Sequence, residues 1–159
     1  MGKITGKILA HFLSEHSDTF QGQSVSLVGY SLGCQVLKST LNRLNKLNVR
    51  NLVHNVYFLA GAVNFEKTQN QLSTFGDTVQ GRLVNVYCKN DSALKAYEKF
   101  AVKKEPIGLY PQYTATASTK QGKQSGVWLE NYDVTHFVEG HGDFRPKMDM
   151  ILDFIHFDS

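Results

Sequence analysis

Val25-Ser26-Leu27-Val28-Gly29-Tyr30-Ser31-Leu32-Gly33 is the stretch on which the fold class turns. Ser24 to Gly29 alternates into an apolar strand that stops at a glycine. From Leu32 the period changes to helical, with Val36, Leu37, Thr40, Leu41, Leu44 and Leu47 forming one stripe until Asn48 to Asn51 break it. Between strand and helix lies Gly29-Tyr30-Ser31-Leu32-Gly33, a G-x-S-x-G pattern in the strand–turn–helix setting that a nucleophile elbow requires. Such a turn strains the serine backbone, and the flanking glycines leave room for neighbouring backbone to pass without a Cβ. The free N–H groups at the helix start are suited to a developing oxyanion, with Leu32 N–H the first of them.

Outward from this centre, strands and helices alternate. Ile4, Ile8, Leu9, Phe12 and Leu13 recur at helical spacing and predict an amphipathic helix over about 3–16. After the elbow come a strand at Val53–Ala60, a polar stretch from Asn64 to Gln80 with a short helix at most, and a strand at Arg82–Cys88. Ser92–Val102 reads as a helix, 112–126 as a mobile excursion poor in large apolar residues, and Val127–Phe137 as a fourth strand. The chain closes with a helix carrying Met148, Ile151, Leu152 and Ile155, with Pro146 in its first turn. Strands alternating with helices imply an α/β fold with a mostly parallel sheet of about four strands and flanking helices, here in one domain over residues 1–159.

Parallel sheets of this kind bind ligands at the C-terminal ends of their strands. Ser31, Asp91 and His141 all fall just beyond predicted strand ends. A serine hydroxyl needs a base to take its proton, and the base needs an acid to orient it. The order serine, acid, histidine is the one expected when the serine sits on such an elbow. Asp91 also reads as the cap of the Ser92–Val102 helix, since aspartate is a favoured N-cap. His141, between Gly140 and Gly142, also reads as a solvated loop histidine. His136 competes for the role of base, and Asp77, Glu66 and Asp133 for that of the acid. His136 falls inside the predicted fourth strand, Asp77 and Glu66 lie in the variable stretch before the third, and Asp133 reads as structural.

The 159 residues are 42% apolar and 19% charged, with a formal charge of +3 and a pI near 8.8. Basic residues are scattered, with only Lys103-Lys104 adjacent, which argues against a nucleic-acid footprint. Cys34 and Cys88 sit in apolar segments and read as free buried thiols, suited to a reducing compartment. No apolar run approaches the ~20 residues of a membrane span, and the N-terminus lacks a signal peptide's apolar core, so the expected location is intracellular. Neither a Walker loop nor a G-x-G-x-x-G fingerprint occurs, and no histidine lies in a metal-binding pattern beyond the weak His141-x-Asp143 pair. No cofactor and no metal is therefore expected. Tyr30, Tyr57, Tyr87, Tyr110 and Tyr113 read as core or pocket walls.

Four blocks carry a family resemblance: Val25–Gly33, Val56–Val63, Gly81–Asp91, and Glu130–Thr135 with Gly140–Phe144. They resemble, in order, the nucleophile block, the "LLGAPV" strand, the "GRIVNVYSxxD" block and the "ENVDVT…GHxxY" block of transmembrane and coiled-coil domain proteins whose C-terminal α/β-hydrolase domain was formerly a domain of unknown function. Glycine in place of the family's proline near Ala62 is a small departure. The resemblance implies a lipase- or esterase-like serine hydrolase acting on a lipid or other ester, often membrane-associated through upstream segments. It matches Ser31 to the nucleophile, Asp91 to the acid and His141 to the base. It also implies that this chain is the C-terminal half of such a domain. The strands that would precede the nucleophile strand, and the loop giving a second oxyanion N–H, have no counterpart here. Losing one such donor costs about 2.7–4 kcal/mol of transition-state stabilisation in a studied enzyme. The expectation is that another protein chain, or an omitted segment, covers the open edge of Val25–Gly29. A non-catalytic subunit kept for its surface stays open beside the enzyme reading, as does a flavodoxin-like binding module lacking a recognisable phosphate loop.

Overall fold

A computed structural model describes residues 1–20, 23–65, 75–102, 105–112 and 129–157. Strand β1 (Val25–Tyr30) runs into helix α2 (Gly33–Lys46), which returns the chain to start β2 (Val53–Leu59); α1 (Gly2–Glu15) precedes them. Strand β3 (Leu83–Tyr87), helix α3 (Ser92–Tyr97), strand β4 (Leu129–Asp133) and helix α4 (Met148–Phe154) follow. The four strands form one sheet in the order β1-β2-β3-β4, every pair parallel. The architecture is α/β with flanking helices.

Burial explains the strand sequences. All five residues of β3 and the last four of β2 are buried, as central parallel strands covered on both faces must be. One face packs Leu27, Val56, Phe58 and Leu83 against Leu37, Leu41 and Leu44 of α2. The other packs Leu59, Val84 and Val86 against Leu94, Phe144, Ile151 and Ile155. At the far end of the sheet from the strand C-termini, Arg82 binds both carboxylate oxygens of Glu130 at 2.9 and 2.8 Å. It also donates to the Ile155 and His156 carbonyls, so the end of α4 is tied to β3 and β4.

Helix α1 forms as expected, at Gly2–Glu15. Its Ile4, Ile8 and Phe12, however, are 66%, 64% and 51% exposed. The buried face is Gly6, Ala10 and Leu13, set against α2. A Cβ on Gly6 would come within 2.5 Å of Ser39 Cβ and of the Val36 carbonyl oxygen, so the two backbones meet through small residues. Thr40 donates its hydroxyl to the Gly6 carbonyl at that contact.

One helix keeps its expected span but changes type, and two boundaries differ. The helix at Ser92 is α-helical only to Tyr97 and continues as a π-helical turn, Glu98–Val102. The fourth strand ends at Asp133, where the Asp133 carboxylate accepts from Thr135 N–H and hydroxyl and closes a turn. His136 is therefore in a turn, not in a strand. Pro146 lies ahead of α4 rather than in its first turn. The excursion expected at 112–126, apart from Gln112, lies outside the described residues, as do Glu66, Tyr113, Lys103-Lys104 and the start of the expected fourth strand.

Strand β1 pairs only with β2, and among the described residues its other edge carries no strand. Val28, on the face away from α2, is 47% exposed.

Candidate active site

At Ser31 the chain leaves β1 with φ 54°, a left-handed conformation that costs a non-glycine residue about 1–2 kcal/mol. Three hydrogen bonds hold it there. Ser31 N–H donates to the Leu59 carbonyl at 2.9 Å, and the Ser31 carbonyl accepts from Cys34 N–H and Ala62 N–H, both at 3.1 Å. The turn is thus pinned to the end of β2, and α2 starts immediately beyond it. Gly29 is tightly packed: a Cβ there would lie 2.7 Å from Leu37 Cδ1 and 3.2 Å from Cys34 N, so the Leu37 side chain would have to shift. Gly33 is not, because a Cβ there would meet nothing within 4 Å, so the steric reading of that second glycine is corrected. Leu32 N–H, at the start of α2, donates to no acceptor among the described residues, and the Leu32 side chain is 61% exposed.

Because the strands are parallel, the segments after β1, β3 and β4 emerge at one end of the sheet. There His141 Nε2 lies 2.8 Å from Ser31 Oγ, and His141 Nδ1 lies 2.7 Å from Asp91 Oδ2. A carboxylate only accepts, so Nδ1 carries the proton toward Asp91, leaving Nε2 to accept from the serine hydroxyl. Asp91 is fully buried, while the His141 side chain is 22% exposed. The two Asp91 oxygens have different partners: Oδ1 accepts from Leu94 N–H at 2.9 Å as the N-cap of α3, and Oδ2 faces His141. The His141 loop is clasped from below. Asp143 accepts from Glu139 N–H and pairs with Lys147, whose ammonium also donates to the Phe137 carbonyl.

The competitors are elsewhere. His136 is exposed, its ring against Phe137 and Phe154. Asp77 is exposed beside Val79, which bridges Val53 at the opposite end of the sheet from Ser31. Asp133 pairs with Lys89 at 2.6 Å. Cys34, the second residue of α2, is no rival nucleophile, since burial pushes its thiol up to about 12 and it donates to the Gly29 carbonyl. Cys88 is also buried, with its thiol raised mainly for the same reason. Among the described residues no three His, Cys, Asp or Glu side chains are grouped to hold a metal. Of the tyrosines, Tyr57 and Tyr87 are core, whereas Tyr110 is 38% exposed and so is not. Tyr30 lies against the His141 ring, a contact that no local pattern announced.

Comparison with known proteins places the chain in a family. Residues 2–158 match the family described as "Protein of unknown function (DUF726)". The chain belongs to this family. The match spans all four blocks of the resemblance. Among curated relatives, the uncharacterized membrane protein C6F6.13c of Schizosaccharomyces pombe is 33% identical over 157 residues, covering 94% of this chain and 18% of its own length. The probable lipase MIL1 of Saccharomyces cerevisiae is 30% identical over 149 residues, covering 92% of this chain and 12% of its own length. The uncharacterized membrane protein F35D11.3 of Caenorhabditis elegans is 25% identical over 130 residues, covering 80% of this chain and 19% of its own length. The chain thus spans less than a fifth of each of these relatives. No solved structure matches it. Among the described residues no helix is long and apolar enough to cross a membrane.

Proposed function

We propose that this chain carries the catalytic residues of a lipase-like serine ester hydrolase, forming the C-terminal half of an α/β-hydrolase domain. The observation that supports this most directly is the pair of short hydrogen bonds running from Ser31 Oγ through His141 to buried Asp91. In the proposed reaction Ser31 Oγ attacks the ester carbonyl while its proton passes to His141 Nε2. Asp91 holds the ring and offsets the charge of the imidazolium. Leu32 N–H donates to the developing oxyanion. His141 then returns the proton to the departing alcohol, and water repeats the sequence on the acyl-enzyme. The name of the yeast relative supports an acyl-lipid ester as substrate.

A second element of the proposal is that a further strand, supplied by another protein chain or by another segment of a longer polypeptide, pairs along the free edge of β1. Supporting it are the half-exposed Val28 beside that edge and the exposed Ile4, Ile8 and Phe12 on α1. The names of two relatives support an association with a membrane, and the location proposed with it is peripheral and inside the cell. The same free edge and apolar stripe favour the other reading, a non-catalytic subunit kept for its surface. A fluorophosphonate probe separates the two. The enzyme reading expects labelling of the folded protein that disappears in Ser31→Ala. Absence of labelling in the folded, fully assembled protein refutes it and leaves the subunit reading.

A further inference from the structure

We infer that Tyr30, the variable residue inside the G-x-S-x-G pattern, is the positioning residue that locks His141 onto Ser31. The inference rests on the catalytic reading above and adds to it a part that neither the motif nor the order of the three residues contains. Two contacts carry it. The Tyr30 hydroxyl donates to the His141 carbonyl at 2.6 Å, bridging residues 111 apart in sequence. The Tyr30 ring stacks on the imidazole, with centroids 5.1 Å apart and planes 27° from parallel, and its other neighbour is Phe144 at 6.0 Å.

Together these contacts restrain both halves of His141. The hydroxyl fixes the backbone from which the side chain hangs, and the ring closes one face of the imidazole. Asp91 and Ser31 then define the remaining in-plane direction. Because Tyr30 is peptide-bonded to Ser31, its geometry is inherited from the elbow itself. Any movement of the His141 loop away from the nucleophile must therefore break the hydroxyl bond. Gly140 and Gly142 on either side of His141 offer the loop little restraint of their own, and a Cβ on Gly142 would meet nothing within 4 Å. Burial, and next the negative charge of Asp91, raise the Tyr30 phenol above its ordinary value, so it stays a donor across the working pH range.

The test is Tyr30→Phe, which keeps the ring and removes only the anchor. Two readouts are taken on the whole protein: the rate of fluorophosphonate labelling, and the far-downfield proton NMR signal of His141 Nδ1–H bonded to Asp91. A displacement of about 1 Å at a reacting group costs on the order of 10²-fold in rate. The expected result is labelling slowed roughly 10- to 100-fold and a broadened or lost Nδ1–H signal, with the melting temperature lowered by no more than the few °C that one lost hydrogen bond accounts for. Labelling within about twofold of wild type, with the signal intact, overturns the inference. A second variant, which keeps both the ring and the hydroxyl, is 3-fluorotyrosine at position 30, whose more acidic hydroxyl strengthens the bond. It is expected to shift the His141 signal, and no shift overturns the inference. If the wild-type protein does not label at all, the catalytic reading fails by itself, while the two NMR comparisons still decide what Tyr30 does.

Discussion

Asp91 does two jobs with two oxygens, and substitution separates them. In Asp91→Asn, Oδ1 stays in place to accept from Leu94 N–H, so the α3 cap survives. The amide nitrogen then replaces Oδ2 opposite His141 Nδ1, and a donor now faces a donor. The imidazole resolves this by moving its proton to Nε2, where it points at Ser31 Oγ and no longer accepts from it. In the serine proteases the same change leaves the geometry intact and lowers the rate about 10⁴-fold. In Asp91→Ala the cap is lost as well. Truncating an N-cap to alanine costs about 1 kcal/mol, and the freed His141 Nδ1–H adds little because the side chain is 22% exposed and water reaches it. With roughly 2–4 °C per kcal/mol for a domain of this size, Asp91→Ala is expected to melt about 2–4 °C below wild type. Asp91→Asn is expected to melt near wild type, and neither variant to label. The measurements are fluorophosphonate labelling rates and thermal unfolding followed by circular dichroism. If Asp91→Asn labels at close to the wild-type rate, the orienting role is wrong. If Asp91→Ala is as stable as Asp91→Asn, the division of labour between the two oxygens is wrong.

Two further outcomes are expected. Ser31→Gly relieves the left-handed strain of about 1–2 kcal/mol against a glycine entropy cost of about 0.5–1 kcal/mol. It should therefore unfold at higher denaturant than Ser31→Ala by an amount worth about 0.5–1 kcal/mol; equal midpoints would show that the elbow is not strained. The bidentate Arg82 partner holds the Glu130 carboxyl below its ordinary value, so its stabilisation is full above about pH 4.3 and lost as pH falls through the lowered folded-state value. The melting-temperature gap between wild type and Glu130→Gln should accordingly close on acidification below about pH 4.3, and a gap independent of pH would contradict the assignment.

Much of the fold was legible locally. The change of period at Gly29–Leu32 located the elbow, because an alternating strand and a 3.6-residue helix bury different residue sets. The near-continuous apolar runs of β2 and β3 announced strands covered on both faces. The orientation of α1 was not legible. Ile4, Ile8 and Phe12 supply the larger apolar side chains, yet Gly6, Ala10 and Leu13 face α2. Periodicity reports that a helix has an apolar stripe; only the partner surface says which stripe it contacts, and here close backbone approach favours small residues. The fourth strand was overestimated at its C-terminal end because the Asp133–Thr135 turn sits within residues of good strand propensity.

The site divides along the same line. Residue order and local pattern placed Ser31, Asp91 and His141 beyond the ends of three strands, and a parallel sheet brings such ends together wherever they lie in the chain. The choice between His136 and His141, five residues apart, depended on where β4 stops and the chain turns, which is a matter of hydrogen bonds rather than composition. The sharing of Asp91 between a helix cap and a histidine, and the reach of Tyr30 across 111 residues to the His141 carbonyl, belong to the packed fold alone. Local interactions are written in neighbouring residues. A 2.6 Å contact between distant ones exists only after the sheet has aligned the segments that carry them.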